Sequence, residues 1–348
     1  MSPTSRLPKS AEKPVPPRQP DPTPPLRSKS RNALPASRKR PSVRAPEKRQ
    51  SLGAHGGYAL NESPGNPTAA AEAQPFLKWV GGKSQLLAQF DRFFPREIER
   101  YVEPFIGGGA VFFHLKARFP KMQASLRDDN AELINCYQAV RDNVKELMRR
   151  LDEHVRQFQT EGERYYYLVR SQHQLADPLE RAARMIFLNK TCFNGLWRVN
   201  ARGEFNVPIG SYKKISLYDR NNLLAASDSL RGVGLGVNDF RKTIAATGPE
   251  DFVYVDPPYF PLSATSNFTS YTRKDFGVEA QRELAALYAD AARRGVRLML
   301  SNSNTDLIEK LYRDFQIHYV RARRAINCQG DKRGAISEIL VLSYEIAK

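Results

Sequence analysis

Cysteine is scarce in this chain: Cys136, Cys192 and Cys328 are the three present in 348 residues, odd in number and far apart. That spacing argues against a disulfide framework and suits a reducing compartment. Histidine is scarce too, and none of the five pairs with Cys or His at a metal-ligand spacing, so no metal site is expected. Long apolar runs are missing. Nothing approaches the ~18 residues of a membrane span, and the start "MSPTSRLPKS" lacks the apolar stretch of a secretory signal. These absences lead to the expectation of a cytoplasmic protein with no membrane partner. Acidic residues are in deficit, 37 against 54 Lys and Arg, which leaves a net charge of +17. A surplus of that size points to a polyanionic partner, usually nucleic acid.

Residues 1–74 differ from the rest. "EKPVPPRQPDPTPPLRSKSRNALPASRKRPSVR" is rich in Pro, Ser, Arg and Lys and has no apolar periodicity. Such a segment buries too little surface to offset its ordering entropy, so disorder is expected. It holds 13 Lys or Arg against 5 Asp or Glu, a surplus of +8 that leaves +9 to residues 75–348. The folded part is therefore basic in its own right. The tail suits a nonspecific DNA-tethering arm and equally a solvated leader without a specific role.

From about residue 75 onward, strands and helices alternate. "RYVEPFIGGGAVFFHLKARFP" reads as strand, glycine turn and helix, and "QLLAQFDRFFP" predicts a helix from about Ser84 to Phe93. A long helix is predicted to open at Ala131, and "DFVYV" and "VRLMLSNSN" read as strands. This pattern predicts a Rossmann-like α/β sheet, largely parallel. The stretch at about 155–245 is different, mixing aromatic, basic and Asn/Gly residues. It reads as a mostly helical and irregular insert within one domain of residues 75–348.

Two segments carry chemistry. Gly107, Gly108 and Gly109 lie between a strand and a helix, where glycine lets a ligand approach the backbone and the helix N-terminus. Alone, this also fits a tight structural turn. About twenty residues on, Asp128 and Asp129 follow the next strand. An acid there can bind ribose hydroxyls, or the pair can cap the following helix. The residues leave open which of the two acids is used. The second segment is "DPPY", Asp256, Pro257, Pro258 and Tyr259, at the end of "DFVYV". Two prolines end the strand ladder and free carbonyls from it. An acid, a carbonyl and an aromatic face suit a planar amine: two acceptors for an NH2 and a ring to stack on.

On these residues the sequence resembles the DNA adenine-N6 methyltransferases of the Dam type, from about Phe76 to Ile346. "FLKWVGGK", "EPFIGGGAVF", "DPPY" and "NKTCFNGLWRVNARGEFNVPIGSYKK" resemble the family's cofactor, glycine, catalytic and target-recognition motifs in the family's order, and "PLSATSNFTSYT" continues the match. The resemblance implies S-adenosylmethionine as methyl donor and no metal. Trp79, Lys83, Asp128 and Asp256 match positions that bind the donor, with Phe105, Gly107 and Gly109 in the turn beside it; the family spacing favours Asp128 over Asp129. Asp256, the Pro257 carbonyl, Pro258 and Tyr259 match the positions around the flipped adenine. Duplex DNA is the implied partner, placing the protein at the nucleoid. Relatives often act as monomers, and no obligate protein partner is expected.

The same resemblance implies a base contact from Lys78, Phe193 and Asn194 at the space the base vacates, and Tyr212 among the DNA-facing residues. Leu196 and Pro208 would meet a thymine methyl and Arg198 a guanine edge, pairings that suit their chemistry. The family precedent is adenine in GATC. Two positions depart from relatives: Phe193 stands where Tyr is frequent, and Ser211 where Arg is frequent. Cytosine-C5 chemistry is excluded, because it needs a Pro-Cys nucleophile and no cysteine here follows proline. A DNA-binding regulator without catalysis is the competing class, and the intact "DPPY" argues against it.

Overall fold

The structure is a computed structural model describing residues 72–212, 216–262, 276–323 and 335–346. The tail up to residue 71, the "PLSATSNFTSYT" segment from residue 263 and Cys328 lie outside the described residues.

"DFVYV" forms β4 (Asp251–Val255), and all five residues are buried. Side chains alternate across a strand, so Phe252 and Tyr254 join the core on one face of the sheet, and Val253 and Val255 the core on the other. A strand covered on both faces is what a continuous run of β-branched and aromatic residues encodes. Six further strands complete the sheet: β1 (Arg100–Glu103), β2 (Gln123–Asp128), β3 (Gly234–Val237), β5 (Arg297–Ser303), β6 (Gln316–Arg323) and β7 (Ala335–Leu342). Their order is β3-β2-β1-β4-β5-β7-β6. The strands from β3 to β5 run parallel, and β7 is antiparallel to both neighbours. Strand order reverses between β1 and β4. In a doubly wound sheet the crevice beyond the carboxyl ends of such a pair is the ligand site.

Helices pack on both faces. α1 (Leu87–Phe90) runs into a 3-10 turn over Asp91–Phe93, so the helix expected over 84–93 is shorter and breaks in two. α2 (Ala110–Arg118) begins at Gly109, whose φ of 71° is left-handed. α3 (Ala131–Glu161) starts at the expected residue, but its cap is Asn130, whose side chain accepts the N–H groups of Glu132 and Leu133. α4 (Glu163–Ser171), α5 (Pro178–Thr191), α6 (Arg220–Ser229) and α7 (Phe240–Ala245) follow, with α8 (Val278–Arg293) and α9 (Asp306–Leu311) nearer the carboxyl end.

The 155–245 stretch is more regular than its composition suggests. It carries α4, α5, α6 and α7, and between them Cys192–Ile209 and Val199–Phe205 pair as isolated antiparallel bridges of a small hairpin. It also contains β3, which joins the main sheet beside β2. Its sequence "GLGV" hides that strand, because glycine has low β propensity and neighbour pairing supplies what propensity lacks. Among the described residues no helix is long and apolar enough to cross a membrane.

Candidate active site and nucleic-acid interface

Asp256 leaves the end of β4 at the switch point, and its carboxylate is held from two sides. Lys83 Nζ lies 2.7 Å from Oδ2, and Ser301 of β5 donates to Oδ1 at 2.9 Å. The rest of the loop is gripped as closely. Gln281 of α8 donates to the Pro258 carbonyl at 2.9 Å, and Asn302 of β5 accepts the Phe260 N–H at 3.3 Å. Ser303 donates to the Phe260 carbonyl at 2.7 Å, and the Tyr259 hydroxyl donates to Glu338 of β7 at 2.8 Å. Asn302 is itself oriented by donating to Gln281 at 3.0 Å. No hydrogen bond engages the Pro257 carbonyl among the described residues. A loop fixed at this many points holds its acceptors in place before any ligand arrives, which is how a site avoids reorganisation at the moment of reaction.

Acidic groups outnumber basic ones here. Lys83 is buried, with its ammonium also donating to the Gly81 carbonyl and standing 4.6 Å over the centre of the Tyr259 ring. Burial pushes the Asp256 carboxyl above its ordinary range, and Lys83 and Ser301 pull it back. Burial raises Glu338 as well. Glu103 ends β1 in the same crevice, accepts from Tyr101 OH at 2.8 Å and is raised strongly by burial, with Asp256 and Asp128 adding to the effect. One ammonium thus faces several carboxyl groups, and added positive charge is favoured there.

The glycine turn lies on the other side of the crevice. A Cβ on Gly107 would stand 2.9 Å from the Trp79 ring, and one on Gly109 would stand 2.6 Å from Tyr137 OH. Both have positive φ, so the close approach and the backbone shape demand glycine together. Asp128 accepts the Gly107 N–H at 3.2 Å and the Asn130 N–H at 3.0 Å, while Tyr137 donates to the Gly107 carbonyl at 3.1 Å. Asp129 is exposed, so Asp128 is the acid beside the turn. Burial pushes the Asp128 carboxyl up to about 7. Phe105 stacks on Phe240 with ring centres 5.3 Å apart, joining β1's end to the start of α7. These features suit a nucleoside bearing a diol: bare backbone, an indole and a poised carboxylate.

A second constellation adjoins the first through the chain itself, since Lys78 precedes Trp79. Lys78 is exposed, and its ammonium lies 4.4 Å over the Tyr212 ring, whose hydroxyl donates to the Cys192 carbonyl at 2.7 Å. Phe193 donates its N–H to the Pro208 carbonyl at 2.9 Å, so these two come together at the hairpin's base. Phe193 is 49% exposed, and Asn194 has a φ of 55°. An exposed ring beside a left-handed Asn is presented to solvent rather than packed. Leu196 is half-buried behind them, and Arg198 stands further along the hairpin, its Nε donating to Asn206 Oδ1 at 2.7 Å. Its Nη2 also donates to the Asn206 carbonyl at 3.5 Å, so Asn206 orients the guanidinium through two contacts.

Several contributors carried no local signal. Ser301, Asn302, Ser303, Gln281 and Glu338 meet partners distant in sequence, and only "LSNSN" on β5, a polar end to a buried strand, hinted at any of them, whereas Asn206 lies within the recognition motif, eight residues from Arg198. Asn189 is the most consequential. It is fully buried, accepts the Lys78 N–H at 2.8 Å, and donates to the carbonyls of Lys78 at 2.7 Å and Gly195 at 3.1 Å. One amide thus joins the segment bearing Trp79 to the turn bearing Phe193 and Asn194.

Comparison with known proteins gives the family of the chain. Residues 79–326 match a family described as D12 class N6 adenine-specific DNA methyltransferase. The chain is 44% identical over 288 residues to the type II methyltransferase M.MjaIII of Methanocaldococcus jannaschii, covering 78% of this chain and all of that protein. It is 41% identical over 279 residues to the type II methyltransferase M1.LlaDCHI of Lactococcus lactis subsp. cremoris, covering 78% and 95%. It is 35% identical over 267 residues to the DNA adenine methylase of Escherichia coli K12, covering 77% and 94%.

Proposed function

The chain belongs to the D12 class of N6 adenine-specific DNA methyltransferases, and from that premise we propose that it modifies an adenine flipped out of duplex DNA, within GATC, at the Asp256–Tyr259 loop. The family implies S-adenosylmethionine as donor. The observation that carries the proposal is the loop's rigidity: a carboxylate and a carbonyl held at the switch point, with an aromatic ring beside them. The amino nitrogen of adenine is a weak nucleophile because its lone pair is shared with the ring. Asp256 and the Pro257 carbonyl would accept its two N–H bonds and localise that lone pair, while Tyr259 stacks on the base. An in-stack base cannot present its amino group to a buried crevice, which is why flipping is expected. Labelled donor incubated with DNA, followed by methylation-sensitive sequencing, tests both activity and target. Label absent from adenine, or adenine modified outside GATC, would overturn the corresponding part.

The donor fits the glycine side of the crevice. Trp79 would cover its aromatic part, the backbone at Phe105–Gly109 would lie beneath it, Asp128 would accept its ribose hydroxyls, and Lys83 and Asp256 would face its charged end. When bound, the donor supplies an electrophilic methyl group. Asp128 makes the fit pH-dependent. With its folded carboxyl pushed up to about 7 by burial, it takes up its proton as pH falls through neutrality, whereas a diol needs an ionised acceptor. Donor affinity is therefore expected to fall about tenfold per unit below about pH 7, and Asp128→Asn to weaken binding and abolish that slope. Titration calorimetry across neutral pH reads it directly. The same shift has an opposite sign for the free protein. A carboxyl raised on folding makes the native state hold the extra proton, so free-protein stability falls as pH rises from about 4 to about 7.

On the DNA side, Lys78 would contact a base, Phe193 and Asn194 would occupy the vacated space, and Leu196 and Pro208 would meet a thymine methyl. Tyr212 supports Lys78 from below. Arg198 would read a guanine, with Asn206 orienting its guanidinium through Nε and Nη2. Arg198→Ala is expected to cost about 1–3 kcal/mol of discrimination at one guanine while sparing the rate on the preferred site at saturating DNA. An unchanged methylation motif in sequencing would refute that role. We read the enzyme as acting on duplex DNA without an obligate protein partner.

A further inference from the structure

Six side chains grip the loop that carries Asp256, and five of them hold its backbone or the acid itself. Glu338 differs. It reaches from β7 to the Tyr259 hydroxyl, 2.8 Å away and 79 residues earlier in the chain. Its own position is fixed from both sides, because Glu338 pairs in register with Ser303 of β5 and with Val320 of β6. The Tyr259 ring is therefore tethered at its tip, while the Lys83 ammonium occupies one of its faces at 4.6 Å. A ring held at the tip and covered on one face has one way left to present the other. We propose that Glu338 is a positioning residue for methyl transfer, its carboxylate setting the Tyr259 ring at the angle at which its open face meets the target adenine. This rests on the reading above that Tyr259 stacks on that base.

The chemistry of the position supports the assignment. A strand between two neighbours is stabilised by an apolar side chain, and a partly buried carboxylate costs free energy there. Burial and the nearby Asp256 push Glu338 upward, whereas Lys83 and the Tyr259 hydroxyl stabilise its anion. Its two strongest partners thus belong to the catalytic loop and the donor side rather than to the sheet. Removing it should leave the sheet intact and free the ring to rotate, so the effect belongs in turnover and not in ligand affinity.

Glu338→Ala is expected to lower kcat about tenfold, the worth of one charge-assisted hydrogen bond, with KM for DNA and for donor within about twofold of wild type. Glu338→Gln keeps an oxygen that can accept from Tyr259 and is expected to recover most of the lost rate. Tyr259→Phe removes the same bond from the other end, so adding Glu338→Ala to it should change kcat no further. Additive losses in the double variant, no recovery with Gln, or a wild-type kcat for Glu338→Ala would each overturn the proposal. If Glu338→Ala fails to fold, Glu338→Leu in the Tyr259→Phe background carries the same comparison: an apolar replacement should again cost nothing beyond Tyr259→Phe, and a further loss of kcat sinks the idea. Failure of the underlying reading is separable, because it would appear as normal transfer by Tyr259→Ala.

Discussion

Replacing Asp256 with Ala is expected to lower methyl transfer about a thousandfold or more, the scale on which a preorganised charge or proton acceptor acts in a sealed site. The reason is specific to this loop. Ser301 and Lys83 hold the two carboxylate oxygens of Asp256 at 2.9 and 2.7 Å, so the acceptor proposed for the amino group would be in place before DNA arrives. Glu103, Glu338 and Asp128 are not free to take over, because they are tied to Tyr101, to Tyr259 and to the Gly107 and Asn130 N–H groups. DNA affinity should change little, since the hairpin from Cys192 to Ile209 makes no use of Asp256. Single-turnover transfer and fluorescence anisotropy on one oligonucleotide separate the two. A near wild-type rate would remove Asp256 from its catalytic role. The change also strands Lys83, a buried ammonium without its nearest anion, so some loss of stability is expected. Asp256→Asn keeps the side-chain volume and should show the same loss of rate, so cavity formation cannot account for both.

The second large effect belongs to Asn189. Its substitution by Ala leaves three backbone groups, the part-buried N–H and C=O of Lys78 and the buried C=O of Gly195, without their partner. Even with incomplete additivity this should cost about 4 kcal/mol of unfolding free energy, read from a denaturant titration. Gly195 leaves the seam no slack: its φ is 64°, and a Cβ there would stand 2.6 Å from the Lys78 Cβ. Because the amide joins the Trp79 segment to the Phe193–Asn194 turn, donor and DNA affinities should fall together. A variant within about 1 kcal/mol of wild type would mean that water replaces the amide and that the seam is not held by it.

Much of the fold was legible because the signals were local. "DFVYV" is apolar on both faces, and β4 is buried on both. Glycines between strand and helix marked the turn, and positive φ at Gly107 and Gly109 is the conformation that requires them. Asp256, Pro257, Pro258 and Tyr259 stood out because a double proline at a strand end has few uses. Legibility failed where partners were distant or propensity misled. β3 was concealed by its glycines, and the helix near Leu87 was drawn too long because its apolar spacing continues into a 3-10 turn. Composition did not separate Asp128 from Asp129; the family spacing favoured Asp128, and it is Asp128 that accepts the Gly107 N–H.

The sequence by itself determined the alternating α/β order, the basic character and the chemistry available at the DPPY loop, since these follow from residue type and spacing along one segment. Only the tertiary structure decided that Glu338 meets Tyr259, that Asn206 steers Arg198, and that one amide at Asn189 joins two functional segments. Such contacts depend on strand register and helix packing, where a shift of one residue turns a side chain to the opposite face. Register is a property of the whole sheet, and no single stretch of sequence encodes it.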